Sequence, residues 1–505
     1  MYIVIASAEC APVAKAGGLG DFVQGLAREL IQFGHRVEVI LPWYDCLRLE
    51  RIQDLERAPV GLDLPFFADT LPCDLYRGRV DGIECWFLDP RSSQGFFRRG
   101  VIHGEPDDPE RFTCYARGVL EFLYRTGRHP DVIHCNDWHT GLVPVLLYEI
   151  YQAWGLDRTR VLYTLHNLGH QGWVGEGVLA QAGLDAGRLL TPDRLGDPGN
   201  PQGVNLMKGG IVYANAVTTV SPRYAREIET TEQGRGLQAT LRAHADKFAG
   251  ILNGIDFEVW NPRTDPHIPQ TYDRDSLAGK ARNGVALRRR LGLAEERRPL
   301  LAVVSRLDAQ KGVELIRHAI LHGLARGAQA VLLGSAQDPV LDRFFRILQR
   351  ETDPSPHCHL ALGYDEELAH LIYAAADLMI IPSVYEPCGL TQMIAMRYGV
   401  VPVVRGVGGL ANTVFDAHYS PRPFLERTGF VFDEPTPEAL EGALDRALGL
   451  WADHPEYFRQ LRLNGMAMDY SWARPARRYA ALYETIRVKA GAGERRWTMA
   501  KAVVQ

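Results

Sequence analysis

An α/β protein of two doubly wound domains is the fold class this sequence predicts, and three observations predict it. Its strand-length apolar runs are continuous rather than alternating, as in sheets covered on both faces. Segments of helix length separate those runs, which is the rhythm of successive β-α-β units. The rhythm continues through both halves of 505 residues, a length too great for a single hydrophobic core.

In the first half, YIVIA (2–6), VEVIL (37–41), DVIHC (131–135), RVLYTL (160–165) and AVTTV (216–220) read as buried strands. Between the first two, Phe22, Val23, Leu26, Leu30 and Phe33 share one side of a helix, and Gly34 stands where a C-terminal cap is wanted. The second half repeats the pattern at 299–307, 328–334, 358–364, 377–383, 400–404 and 429–433. Residues 257–285 hold three prolines and little periodicity, the composition of a linker or hinge. The predicted division is therefore a Rossmann-like domain over 1–256, a linker over 257–285 and a second Rossmann-like domain over 286–472. A last helix over 473–489 packs back on the first domain, and a mobile tail covers 490–505.

Composition narrows the function. A net charge of −5 offers no basic stripe for nucleic acid. The most apolar stretch, residues 141–154, carries Glu149 and falls short of the roughly 18 residues of a membrane span. The chain opens on a strand-like run without signal or transit character. Its eight cysteines are scattered with no C-x-x-C, which suits a reducing compartment. The expectation is a cytoplasmic protein, or one of the plastid stroma if from a plant, without nucleic-acid or membrane partners, and the sequence assigns it no oligomeric state.

Ligands of such sheets bind beyond the carboxyl ends of the strands, so the turns there hold the candidate chemistry. KAGGLGD (Lys15–Asp21) follows the first strand and runs into a helix. It lacks the G-x-G-x-x-G register of dinucleotide sites, and two readings stay open: a tight turn, or main chain brought close to a ligand. Lys15 beside Gly18 and the bare amides of a helix start favours an anion. SRLDAQKG (Ser305–Gly312) sets Arg306 and Lys311 just past a buried strand, a planar fork and a point charge for phosphate oxygens. Two solvated surface cations are the plain alternative.

SVYEPCGLTQMIAMRYG (Ser383–Gly399) leaves a strand, turns, and enters a helix that Gly399 closes. Glu386 lies just before that helix, while Gly389, Leu390 and Thr391 present amides at its start. Asp137 and His139 follow one strand in CNDWHTG, His166 and Asn167 follow the next in TLHNLGHQG, and Asn253 follows another in LNGID. HCH (357–359) is not read as a metal site, because strand alternation turns Cys358 away from both histidines.

Taken in order, KAGGLGD, NDWHTG, HN, NGID, SRLDAQKG and EPCGLTQ resemble the bacterial glycogen synthase and plant starch synthase family, retaining glucosyltransferases of the ADP-glucose type with the GT-B fold. The likeness runs from Ser7-Ala8-Glu9 through TVSPRYAREI (219–228) to DYSWARPARRYAALY (469–483), nearly the whole chain. The resemblance implies two Rossmann-like domains facing across a cleft. It implies glucose transfer from ADP-glucose to the non-reducing end of an α-1,4-glucan or maltooligosaccharide, with retention and with no metal or other cofactor. By the same resemblance Glu386 meets the donor hydroxyls, His166 lies near the donor sugar, and Asp137 lines the acceptor side. Asn167 and Asn253 hold the sugar or phosphate face, Gly363 and Tyr364 meet the adenine, and Cys388 forms a wall. Lys15, Gly18, Asp21, Arg306 and Lys311, with the amides of Gly389, Leu390 and Thr391, take the diphosphate. One departure stands out: Val407 replaces the threonine of many relatives and removes a hydroxyl near the phosphate region.

Two rival functions stay open at this point, a GT-B glycosyltransferase using UDP-glucose and a glucan-binding scaffold with lost activity. A nicotinamide-linked oxidoreductase is disfavoured by the missing glycine register and ribose-binding acid.

Overall fold

The computed structural model describes residues 1–67, 69–200 and 202–488. It divides into two compact units, one formed by Met1–Gly254 together with the chain from Trp472, the other by Ile255–Ser471.

The strands of the first unit are β1 (Tyr2–Ala6), β2 (Arg36–Pro42), β3 (Gln53–Arg57), β4 (Leu62–Phe66), β5 (Asp69–Val80), β6 (Ile83–Pro90), β7 (Val132–Asn136), β8 (Arg160–Leu165), β9 (Trp173–Gly175), β10 (Gly203–Asn205), β11 (Ala216–Thr219) and β12 (Phe248–Gly250). Ten of them form one sheet in the order β12-β11-β8-β7-β1-β2-β6-β5-β3, with β4 on β5, while β9 and β10 pair separately. From β12 to β6 the neighbours are parallel, with Ile5 of β1 opposite Val39 of β2 and His134 of β7. The chain order thus reverses between β1 and β7.

The helix Gly18–Gln32 returns the chain from β1 to β2, burying Phe22, Val23, Leu26 and Leu30. Each such side chain contributes about 1.5–3 kcal/mol. Its end is a Schellman turn: Gly34 has φ 81°, its N–H bonds Ile31 O at 2.9 Å, and His35 N–H bonds Leu30 O at 3.0 Å.

The antiparallel extension β3–β5 on β6 departs from a wholly doubly wound sheet. Proline at 65, 72 and 90 and the charged, fully exposed QDLER of β3 conceal it from a search for continuous apolar runs. β3 and β4 lie at the edge, and Pro72 and Pro90 sit where β5 and β6 have lost one neighbour, so in each case one side needs no partner.

The helix Ala473–Val488 also belongs to the first unit. A Cβ on Gly25 would lie 2.0 Å from Trp472 Nε1, so the glycine is the socket for the indole. Tyr483 Oη meets His134 Nδ1 at 2.7 Å inside the same core. The tail expected to be mobile, 490–505, lies outside the described residues.

The second unit holds β13 (Leu300–Val304), β14 (Gln329–Gly334), β15 (Cys358–Leu362), β16 (Leu378–Ile381), β17 (Val401–Arg405) and β18 (Phe430–Phe432). All pairs are parallel, in the order β15-β14-β13-β16-β17-β18. Counted from the first strand of the unit this is 3-2-1-4-5-6, the Rossmann order, with its switch point between β13 and β16.

Residues 257–285 are not a linker but part of this second unit. Asp265 is buried and accepts from Tyr398 Oη at 2.5 Å, with His370 Nδ1 at 2.7 Å. Lys280 is buried and donates to the carbonyls of Tyr373, Ala374 and Tyr398 at 3.0–3.2 Å. Those carbonyls end two helices, where a cation meets the negative pole of the helix dipole. Burial pushes the Lys280 ammonium well below its ordinary pKa. Polar side chains that anchor to distant main chain leave no periodicity, which is why the segment reads as unstructured.

Candidate active site

In the second unit the site forms at the switch point. Lys311 follows β13, Glu386 follows β16, and Lys311 Nζ lies 2.6 Å from Glu386 Oε2. Ser383 Oγ donates to the same oxygen at 2.9 Å. Both charged side chains are largely buried, 18% and 7% exposed, which separates this pair from a surface salt bridge. Gly312 holds φ 70°, and a Cβ there would lie 2.4 Å from Pro382 O, so the two loops are in main-chain contact.

The turn after Glu386 is held from behind. Gly409 N–H bonds Glu386 O at 3.0 Å. A Cβ on Gly408, at φ 46°, would stand 1.8 Å from Glu386 O, and one on Gly409 would stand 1.8 Å from Cys388 O. Only glycine admits the two chains so close. The helix Thr391–Arg397 then starts without a side-chain cap at Leu390, leaving the first amides without intrahelical partners. Gln392 Nε2 ties the carbonyls of Cys388 and Gly389 at 3.2 and 2.7 Å, and Cys388 itself is buried. Ser305, Lys311, Glu386, Gly389, Leu390 and Thr391 line a common small cavity.

Two other expected groups stand nearer solvent. Gly363 and Tyr364 follow β15, with the Tyr364 ring 74% exposed. Arg306 pairs with Asp308 of its own loop at 3.5 Å, and its side chain is more than half exposed. The geometry therefore brings Lys311 onto Glu386 and leaves Arg306 extended.

In the first unit the expected residues gather beyond β1, β7, β8 and β12. Asp137 follows β7 with φ 54° and ψ −179°, a backbone region that a side chain rarely occupies, and strain of this kind collects at functional sites. Its Oδ1 accepts the His166 amide at 2.7 Å and, more weakly, the Asn167 amide at 3.4 Å. Burial pushes the Asp137 carboxyl up to about 7, against the pull of those two amides.

His166 Nε2 lies 3.0 Å from Asn136 Oδ1, and its ring meets Phe22 edge-on at 4.6 Å. Asn136 Nδ2 is committed to the carbonyls of Ala6 and His134, so Oδ1 is the acceptor and His166 carries its proton on Nε2. Burial drives His166 down to about 3, so the imidazole is neutral and Nδ1 holds a lone pair. Asn253 is buried after β12, and its Oδ1 meets no hydrogen-bond donor among the described residues. A buried amide oxygen in that state is a ready acceptor for a ligand hydroxyl.

The KAGGLGD loop is organised by a residue that the motif reading left without a role. Glu9 Oε2 accepts the Ala16 and Gly17 amides at 2.7 and 2.8 Å, and Oε1 lies 3.3 Å from His103 Nε2. Burial alone would raise the Glu9 pKa, but His103 and the two amides outweigh it and the carboxyl lies below its usual range. Lys15 pairs with Asp21 at 2.7 Å in this loop. The glycines divide by task. Gly20 is buried, and a Cβ there would press on Ala11 N at 3.1 Å, so it serves packing rather than ligand approach. Gly17 has open space around its Cβ position, and Gly18 is exposed.

Motif reading also passed over Asn136, Ser383 and the role of Gly408–Gly409. Their only sequence signal was adjacency to strand ends. Val407 proves to be the N-cap of the helix Gly408–Thr413, where it provides no side-chain cap. The hydroxyl it lacks is thus a helix cap as well as a polar group.

Comparison with known proteins gives the relatives of the chain. A model described as the starch synthase catalytic domain matches residues 2–243, and one described as glycosyl transferases group 1 matches residues 287–461. The chain is 54% identical to glycogen synthase 1 of Nitrosococcus oceani, over 96% of this chain and 99% of that one. It is 51% identical to a probable glycogen synthase 2 of Synechocystis over 96% of the chain and the whole of the relative. The solved catalytic domain of starch synthase IV from Arabidopsis thaliana, bound to ADP and acarbose, superposes with a TM-score of 0.94 at 44% identity, covering 96% of this chain and 99% of that domain. Sucrose-phosphate synthase from Thermosynechococcus elongatus, at 21% identity and a TM-score of 0.60, shares the fold. No described helix is long and apolar enough to cross a membrane. The chain is a glycosyltransferase of the GT-B fold and belongs to the glycogen synthase and starch synthase family.

Proposed function

We propose that this enzyme transfers glucose from ADP-glucose to the non-reducing 4-hydroxyl of an α-1,4-glucan, with retention at the anomeric carbon. The observation that carries the reading is the buried Lys311–Glu386 pair at the switch point of the second sheet, beside the uncapped amides of Leu390 and Thr391. A cation and free amides suit a leaving diphosphate, and an adjacent carboxylate suits sugar hydroxyls and a positively charged anomeric carbon. The ADP and acarbose of the related starch synthase IV domain support the same pairing of a nucleotide and a glucan-like ligand.

In this reading the bond from C1 to the β-phosphate oxygen breaks with its electron pair going to ADP. Lys311, Arg306 and the amides of Gly389–Thr391 take up that charge, and Lys15 is proposed as a further cation for it. A charge-assisted hydrogen bond contributes about 1.5–3 kcal/mol, so several together account for much of the leaving-group stabilisation without a metal ion. The acceptor oxygen attacks C1 from the face that ADP leaves, and its proton passes to the departing phosphate oxygen. Glu386 meets the donor hydroxyls as Lys311 turns from its Oε2 to the diphosphate, with Ser383 still donating to that oxygen. His166, with a lone pair on Nδ1, and Asn253 accept from sugar hydroxyls, while Asn167 helps hold that sugar. Asp137 lines the acceptor side, Asp21 holds Lys15, Cys388 forms a wall, and Tyr364 with Gly363 meets the adenine.

The test is incubation with labelled ADP-glucose or UDP-glucose, with and without a maltooligosaccharide, followed by product sizing. Chain extension from ADP-glucose is the expected result, and it survives EDTA. Faster turnover with UDP-glucose would overturn the donor assignment, and glucan binding without extension would overturn the reaction.

A further inference from the structure

We infer that the second unit carries a divalent transition-metal site, built outside the residues assigned to glucosyl transfer, where the helices Val313–Ala325 and Pro437–Asp453 meet. Each helix contributes a pair of side chains one turn apart, which places both members on one face. The first supplies His318 and His322, and the second supplies Glu441 and Asp445. Among the described residues, His318, His322 and Glu441 bring their ligand atoms within 4.8 Å of one another.

The hydrogen bonding makes the group more than a surface ion pair. Asp445 Oδ1 lies 2.7 Å from His322 Nε2, and Arg326 holds the other oxygen of Asp445 at 2.5 Å. His322 Nδ1, on the other side of the ring from Asp445, lies 3.4 Å from Glu441 Oε1, so in the inferred site Nδ1 faces the ion while Nε2 keeps Asp445. Two ligand atoms each about 2.0–2.1 Å from a tetrahedral zinc are themselves about 3.4 Å apart. His318 Nε2 lies 2.8 Å from the same oxygen and its ligand atom within 4.8 Å of that of His322, so its ring draws back from the one and toward the other to complete the set. Both His318 and Glu441 are about one-third exposed.

Asp445 is thus the outer carboxylate that fixes the tautomer of a metal-binding histidine, and Arg326 fixes Asp445. Two imidazoles and one carboxylate, with positions left for water, suit Zn²⁺, Co²⁺ or Ni²⁺ rather than Mg²⁺ or Ca²⁺. The helix Val313–Ala325 begins directly after the Lys311–Gly312 turn, so an ion here clamps the helix that carries the cation loop.

Full-length protein freed of metal with EDTA and titrated with ZnCl₂ against a chromophoric chelator tests this, with thermal unfolding followed in parallel. The wild type is expected to bind one more Zn²⁺ per chain than His318→Ala/His322→Ala, and Zn²⁺ to raise the melting temperature of the wild type only. Asp445→Asn is expected to keep the stoichiometry and weaken affinity about 10–100-fold. Bound Co²⁺ should lack thiolate charge-transfer bands, which excludes exposed Cys46 as the binder. If the double variant loses its far-UV dichroism, His318→Gln carries the comparison. Equal zinc binding by wild type and variant would overturn the site and leave an ion pair only. Unchanged affinity in Asp445→Asn would overturn the arrangement drawn here.

Discussion

Lys311 Nζ stands 2.6 Å from Glu386 Oε2, and the two residues come from loops after β13 and β16, the strands flanking the point where the sheet order reverses. The pair places a buried cation beside the start of the helix Thr391–Arg397, which Leu390 does not cap with its side chain. In the proposed reaction an arriving diphosphate competes with Glu386 for that cation, and the carboxylate is released toward the sugar.

Lys311→Ala is expected to weaken ADP and ADP-glucose about 10–100-fold, the loss of one charge-assisted bond. It also leaves Glu386 buried without its cation, so stability falls as well. Lys311→Ala/Glu386→Gln separates the two effects: thermal unfolding recovers, while calorimetric ADP binding stays weak. Unchanged ADP affinity in the single variant would remove Lys311 from the phosphate site.

Glu386→Gln should behave in the opposite way. Its kcat falls by orders of magnitude, while ADP affinity holds or tightens because Lys311 no longer has a carboxylate to leave. A large loss of ADP binding measured by calorimetry would contradict the division of labour between the two residues.

The glycines provide a paired comparison. Gly409→Ala drives a Cβ to within 1.8 Å of Cys388 O, which main chain cannot avoid without displacing the 386–389 turn. A stability loss of about 1–3 kcal/mol and a weakened donor KM are expected. Gly17→Ala meets nothing within 4 Å and sits at an extended φ of −151°, so its melting temperature should match the wild type. Any fall in kcat/KM for Gly17→Ala then reports crowding of a ligand rather than of the protein. A destabilised Gly17→Ala would refute that account of the loop.

Asp137 makes stability depend on pH. The unfolded carboxyl ionises near 3.9, whereas the folded one, raised by burial, holds its proton until about 7. Between those values the folded state binds more protons than the unfolded state, so this contribution is complete below pH 4 and is lost as pH rises through 7. Asp137→Asn can still accept the His166 amide but does not titrate. Its melting temperature should climb relative to wild type from pH 4 to 7 and then run parallel. A difference constant across that range would show that Asp137 is ionised throughout.

Much of this site was legible in the chain because its elements are local. Continuous apolar runs mark covered strands wherever they occur, and polar or glycine-rich turns at their carboxyl ends mark the ligand edge. Those cues placed Lys311, Glu386, Asp137, His166 and Asn253 at strand ends, and every predicted strand appears. The ordered motifs carried the family as well. The antiparallel β3–β5 extension escaped because edge strands tolerate the proline and charge that otherwise argue against a strand. Residues 257–285 escaped because Asp265 and Lys280 are held by groups about a hundred residues away.

The sequence by itself determined the two-sheet α/β architecture and which turns bear the chemistry, since backbone periodicity and turn residues act over a few positions. Only the tertiary structure decided which groups meet. It put Lys311 on Glu386 while Arg306 reaches outward, set Gly408 and Gly409 against the 386–389 turn, and gave Glu9 the amides of the Lys15 loop. Those are contacts between segments distant in the chain, fixed by strand order and close packing, and no local spacing encodes them.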